Sequence, residues 1–212
     1  MSLPTRRVLL QYGLGCASLP LVSSVASLTA AQAQPATFDM DLALAPRYEG
    51  SANAPTLLAE YFSLTCGHCA RFHANIYPTL KAEWIDNGRV RLEYRDFPLD
   101  GLSVYAHALA RALPVTAYSN MLGILFARQR EWASASQPLL ELQKIFRLAG
   151  MGSDSFNRII ENRDLQRGIV DKAQTAQRRF GIRGTPSFVI NDRQVLPGNL
   201  SYRELAGHLA EA

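Results

Sequence analysis

The sequence predicts an α/β fold: a β-α-β unit, then an all-helical block, then a closing α-β-β-α unit. Three observations carry this reading. The apolar run 56–62 is followed by helical spacing and then by strict alternation over 89–96. Strand character is missing from about 103 to 162, and it returns at 187–190 and 194–196.

The first 33 residues read as an export leader that stands outside this fold. Arg6 and Arg7 precede a moderately apolar run, and Ala31-Gln32-Ala33 supplies the small-x-small pattern that a signal peptidase accepts. The run is interrupted by Gln11, Ser18, Pro20, Ser23 and Ser24, so it falls short of the roughly 18 unbroken apolar residues of a membrane span. The arginine pair resembles a twin-arginine signal, but Leu9 and Gln11 stand where Phe and Lys are commonest, and the route of export stays open. Cleavage after Ala33 leaves 34–212 as one domain with room for a sizeable core.

Within that domain, 56–62 follows Pro55 and suits a buried strand. From Cys66 onward, Cys69, Phe72, His73, Ile76 and Tyr77 recur at spacings of three and four, as one face of a helix does. Pro78 is expected to kink this helix, which should end near Asn87-Gly88. Val90, Leu92 and Tyr94 then share one face of a second strand, completing a parallel crossover unit. Helical patterns follow, with breaks at Pro114, over 134–138 and over 150–153, and a long helix covers 164–180. Asn191-Asp192 makes a hairpin turn between the last two strands, and Ser201 caps a final helix. This is the thioredoxin element order, with a helical insertion at about 101–163.

Charge points to no polyanionic partner. The chain holds 22 Lys and Arg against 18 Asp and Glu, Arg6 and Arg7 belong to the leader, and no basic run remains, so nucleic-acid binding is not expected.

The cysteines are more telling. Cys16 lies in the leader, which leaves the single pair Cys66 and Cys69 in the segment Ser63-Leu-Thr-Cys-Gly-His-Cys-Ala-Arg-Phe-His73. A purely structural bridge gains stabilising power with loop length, and this one encloses only Gly67 and His68. Thiol exchange instead needs an accessible cysteine whose thiolate is stabilised. Cys66, at the opening of a helix, faces unpaired N–H groups and the positive end of the macrodipole, and His68 can add a donor or a positive charge. Cys69, one turn further in, is expected to be shielded, which makes Cys66 the attacking sulfur and Cys69 the resolving one. By period two, Glu60 shares a strand face with Leu58 and Phe62, so its carboxyl is expected among apolar groups below the cysteines, placed to accept a proton from Cys69.

The segment 57–97, with Glu60, Phe62, Cys66-Gly67-His68-Cys69 and Phe72-His73, resembles the DsbA family of exported thiol:disulfide oxidoreductases, in its thioredoxin-4 branch. Phe180-Gly-Ile-Arg-Gly-Thr-Pro-Ser-Phe188 is similar to that family's cis-proline loop and the strand after it. The resemblance implies that Glu60, His68, Cys66, Cys69 and Pro186 are catalytic. It also implies that Gly67, Gly184 and the Thr185 backbone meet an extended substrate, pairing with it as an added strand. No cofactor and no metal are implied. The implied partners are reduced or misoxidised proteins and a membrane redox protein that recycles the pair, and the implied setting is a monomer in the periplasm.

Two alternatives stay open. Gly67 gives the dipeptide of eukaryotic disulfide isomerases, and Thr185 before Pro186 matches bacterial isomerases, so isomerase or reductase action on the same fold is one. The other is a non-enzymatic copper or zinc carrier built on Cys66, Cys69 and a histidine, although zinc prefers a closed set of four ligands. His73 reads as helix packing, His107 as a core or groove residue, His208 as surface, and Trp84 and Trp132 as packing.

Overall fold

The computed structural model describes residues 38–212, so the leader expected over 1–33 lies outside the described residues. Its sheet is five-stranded in the order β1-β3-β2-β4-β5, built from β1 (Arg47–Glu49), β2 (Thr56–Phe62), β3 (Val90–Asp96), β4 (Ser187–Ile190) and β5 (Gln194–Leu196). The β2–β3 pair is parallel and the other pairs are antiparallel. Asn191 and Asp192, both at positive φ, form the tight turn between β4 and β5, as the sequence indicates. The Asn191 side chain also accepts from the Leu57 N–H at 2.9 Å, tying the hairpin to the central strand.

Two elements have no counterpart in the sequence reading: the short helix α1 (Met40–Leu44) and the edge strand β1. In β1 the fully buried position is Arg47, whose guanidinium donates to the Ala45 and Arg111 carbonyls. A cation on the inward face of a strand defeats any search for apolar alternation.

The helix after the cysteines breaks near Pro78, as expected. Helix α2 (Gly67–Asn75) ends at Ile76, a second helix α3 (Tyr77–Leu80) begins with Pro78 in its first turn, and a π-helical turn over Lys81–Ile85 carries the chain on. Proline has no N–H to give to the Ala74 carbonyl, so the ladder must be interrupted there. Between β3 and the long helix α9 (Arg163–Phe180) lie α4 (Gly101–Arg111), a 3-10 turn at Val115–Ala117, α5 (Tyr118–Ala127), α6 (Gln129–Ala133), α7 (Pro138–Leu148) and α8 (Ser153–Glu161). The break at Arg128, between α5 and α6, carries no proline or glycine and was invisible in the sequence.

The sheet separates two apolar layers. Leu58, Phe62, Leu92 and Phe188 pack with α2, with the inserted helices and with α10 (Tyr202–Ala210), which starts from a capping box at Ser201 and Glu204. Ala59, Tyr61 and Val189 face the other way, against Ala173 and Ala176 of α9. At the end of β3, Asp96 is buried and accepts from His107, Arg111 and Tyr118, so its carboxyl is held far below the usual carboxylate range despite its burial. That cluster fixes α4 and α5 to the sheet. It also accounts for His107, which lies in the core, while Trp84 and Trp132 are packing residues and His208 is half-buried.

Candidate active site

Strand β2 ends at Phe62, and four residues later Cys66 is the N-cap of α2, its backbone extended at φ −78° and ψ 116°. Both cysteines are free thiols. Cys66 keeps 8% of its surface and Cys69 none, so the outer and inner order expected from spacing holds, with less exposure at Cys66 than its role suggested.

The environment pulls the two thiols apart. Cys66 is lowered to about 5, first by a hydrogen bond from the Cys69 thiol, against the opposing cost of burial, with Thr185 and the backbone N–H groups of Cys69 and His68 adding to it. These N–H groups belong to the first turn of α2 and have no intrahelical partner. Cys69 is pushed far up by burial, by its bond to Cys66 and by the Glu60 charge.

Thr185 meets Cys66 from the other side. The thiol donates to the Thr185 carbonyl at 3.2 Å, while the Thr185 hydroxyl is buried without a partner. The carbonyl favours the thiol and the hydroxyl favours the anion, so ionisation exchanges one contact for the other. The Thr185–Pro186 peptide is cis, Pro186 is buried, and Gly184 accepts from the Ser187 hydroxyl at 2.7 Å, which closes the loop onto the start of β4.

Glu60 is fully buried on the sheet face beneath α2, and both its carboxylate oxygens lie within reach of His73 Nε2, at 3.0 and 3.1 Å. A thioredoxin family model, Thioredoxin_4, matches residues 43–210, with this cysteine pair and this proline loop inside the match. The chain belongs to the thioredoxin family. A DsbA-like place within it follows from its relatives. Alpha-DsbA1 of Wolbachia pipientis superimposes with a TM-score of 0.69 at 29% identity, over 78% of this chain and 89% of that one. A Haemophilus influenzae protein named thiol:disulfide interchange protein DsbA is 25% identical over 205 residues, 93% of this chain and 91% of its own length. A Rickettsia conorii protein that carries the name protein-disulfide oxidoreductase is 28% identical over 153 residues, 72% of this chain. This chain spans about half the length of that rickettsial relative, 54%.

Around the thioredoxin-family centre, the inserted helices supply contacts that the sequence reading missed. Gln129 on α6 donates to the carbonyls of Leu64 and Cys66 at 2.8 and 3.0 Å. Asp100 caps α4 through the Ser103 N–H and also accepts from the Thr65 hydroxyl at 2.6 Å, and the Ser63 and Ser103 hydroxyls pair at 2.7 Å. The turn that carries Cys66 is therefore clamped by the insertion. Neither residue left a local trace in the sequence, since Asp100 lies 35 residues from Thr65 and Gln129 lies 63 from Cys66.

His68 and His73 differ from expectation in opposite ways. The His68 ring is exposed and its Nδ1 accepts from Arg71 at 2.8 Å, so what His68 brings to the Cys66 sulfur is its backbone N–H. His73, read as packing alone, does stack on Phe126, with ring centroids 4.3 Å apart, but it also holds the buried carboxylate. Nε2 is thereby committed to Glu60. Gly67 is exposed at the first helical position, beside Arg71 and Gln129.

Proposed function

We propose that this chain is a thiol:disulfide oxidoreductase that acts as a dithiol oxidase, donating the Cys66–Cys69 disulfide to reduced substrate proteins. The observation that carries this reading is the Cys66 thiol, lowered to about 5 above a Cys69 held protonated. A substrate thiolate attacks Cys66 Sγ, and Cys69 leaves and takes up a proton. The second substrate thiolate then attacks its partner's sulfur in the mixed disulfide, and Cys66 leaves as a thiolate. Two electrons pass from the substrate pair to the protein pair.

The low value makes Cys66 a good leaving group and stabilises the reduced protein, which makes the disulfide form more oxidising. At pH 7 only the two units between about 5 and ambient pH count, worth about 2.7 kcal/mol or on the order of 60 mV. In the disulfide form Cys66 has no thiol proton, which leaves the Thr185 carbonyl free to accept a backbone N–H from an extended substrate. The leader over 1–33 supports export to the periplasm, where a membrane redox partner recycles a monomeric enzyme.

The test is stoichiometric. Oxidised protein is mixed with reduced, unfolded ribonuclease in buffer free of other oxidants. Ribonuclease activity should return as one pair of thiols appears per chain, and Cys66→Ser should transfer nothing. Client thiols that persist, with the protein still oxidised, overturn the reading. Faster recovery of scrambled ribonuclease by the reduced protein would assign it to isomerisation instead.

A further inference from the structure

Dithiol exchange moves one proton that starts away from solvent. Cys69 must gain a proton when it leaves and lose it when it resolves a mixed disulfide, yet it is completely buried. Glu60, whose charge acts on Cys69, is buried just as completely, so it needs an outlet of its own.

His73 supplies one. Its Nε2 spans both Glu60 oxygens, and its ring is oriented by the stack on Phe126 and by Tyr77, whose centroid lies 4.9 Å away at an interplanar angle of 32°. The side chain keeps 6% of its surface, and it forms part of the wall of a cavity of about 570 Å³ between α2, α3 and the inserted helices α5 and α6. A space of that size accommodates water, and Tyr77, Tyr94 and Gln129 give it polar wall groups. Cys69 thus feels the Glu60 charge, Glu60 is bonded to His73, and His73 borders a solvent space.

We propose that His73 positions the Glu60 carboxylate and passes the Cys69 proton between it and this cavity. The inference rests on the dithiol-exchange reading and adds to it a residue and a route. When Cys69 attacks the mixed disulfide at Cys66, the Cys69 proton goes to Glu60 and a proton moves from the Glu60–His73 pair to cavity water. In the opposite direction the same pair delivers a proton to the departing Cys69. The other charged groups nearby are Glu49 on β1, bound by the Tyr77 and Tyr94 hydroxyls and by Lys81, and Arg71, Arg128, Arg130 and Glu131 along the cavity wall.

Reaction of the reduced protein with 5,5′-dithiobis(2-nitrobenzoate) separates the steps in one stopped-flow trace. Attack by Cys66 forms its mixed disulfide and releases the first thionitrobenzoate. Attack by Cys69 then forms the Cys66–Cys69 disulfide and releases the second, the Cys69 proton passing to solvent. His73→Phe keeps a ring on Phe126 and removes Nε2. It should leave the first phase within twofold of the parent and slow the second at least tenfold, with the pH dependence of the second phase altered. Glu60→Gln should slow the second phase to a similar degree, and the double variant should be no slower than Glu60→Gln, because both act in one relay. A second phase at the parental rate in His73→Phe, or effects that multiply in the double variant, overturns the proposal. If His73→Phe does not fold, His73→Gln, which offers Glu60 a donor without an imidazole ring, is read by the same criteria. Absence of the first phase in the parent protein would instead sink the dithiol reading.

Discussion

Removing the Thr185 hydroxyl isolates its share of the Cys66 anion. Thr185→Val keeps the shape and the carbonyl contact, while the hydroxyl that it deletes has no other partner. A hydrogen bond to a charged group is worth about 1.5–3 kcal/mol, so the Cys66 midpoint, about 5 in the parent, should rise by roughly one to two units. Thiolate absorbance at 240 nm measures this directly, and a midpoint within about 0.3 unit of the parent would assign the stabilisation to Cys69 and the helix N–H groups alone. The main features of this centre were legible because they are local: two cysteines three apart at a helix start, and an acid on the buried face of the preceding strand. The pairing of Glu60 with His73 was harder to see. Spacing marks both residues, but a strand face and a helix face meet only once the crossover is folded, and the apolar company of His73 suffices to explain it as packing.

Among the elements, the loop that presents Thr185 is braced by a backbone contact that only glycine permits. A Cβ on Gly198 would overlap the Pro186 carbonyl oxygen, so Gly198→Ala must push this loop or the 197–200 segment aside. Overpacking of this kind costs about 1–3 kcal/mol. Both a lower denaturation midpoint and a higher Cys66 midpoint are expected, and loss of stability with Cys66 unchanged would show that the loop yields away from the sulfur. The insertion braces the opposite side. Gln129→Leu leaves two buried carbonyls without their donor, at a cost of about 1–3 kcal/mol, and it should quicken hydrogen exchange in the turn 63–66 more than in β3. Uniform exchange changes would make Gln129 a general packing residue. Such braces escape a reading of periodicity. The strands that could be read present apolar faces to the core, as β2 and β3 do, whereas β1 presents Arg47, held by the carbonyls of Ala45, just after α1, and of Arg111 on α4.

For the whole molecule, the thiolate links folding to the redox state. Cys66 is depressed from 9.0 to about 5 on folding, so its contribution to the reduced protein is complete above the unfolded value and disappears as pH falls through 5. Between those limits the slope is about 1.4 kcal/mol per pH unit, and by pH 7 it has contributed about 2.7 kcal/mol. Cys69, raised in the fold, stays protonated in both states below about 9 and adds no slope in this window. The oxidised protein has neither thiol, and the entropy of closing its short loop does not depend on pH. Titrating groups remote from the sulfurs are common to both forms and cancel in the difference between them. Denaturant unfolding of the two forms at matched pH should therefore show the reduced protein gaining about 2.7 kcal/mol on the oxidised one from pH 4 to pH 7. The gain should continue toward pH 9 and be absent from Cys66→Ser compared with Cys66→Ala. A reduced-minus-oxidised difference that stays flat across pH 4 to 8 would mean that Cys66 ionises alike in folded and unfolded chains, and the oxidising character argued from it would go as well.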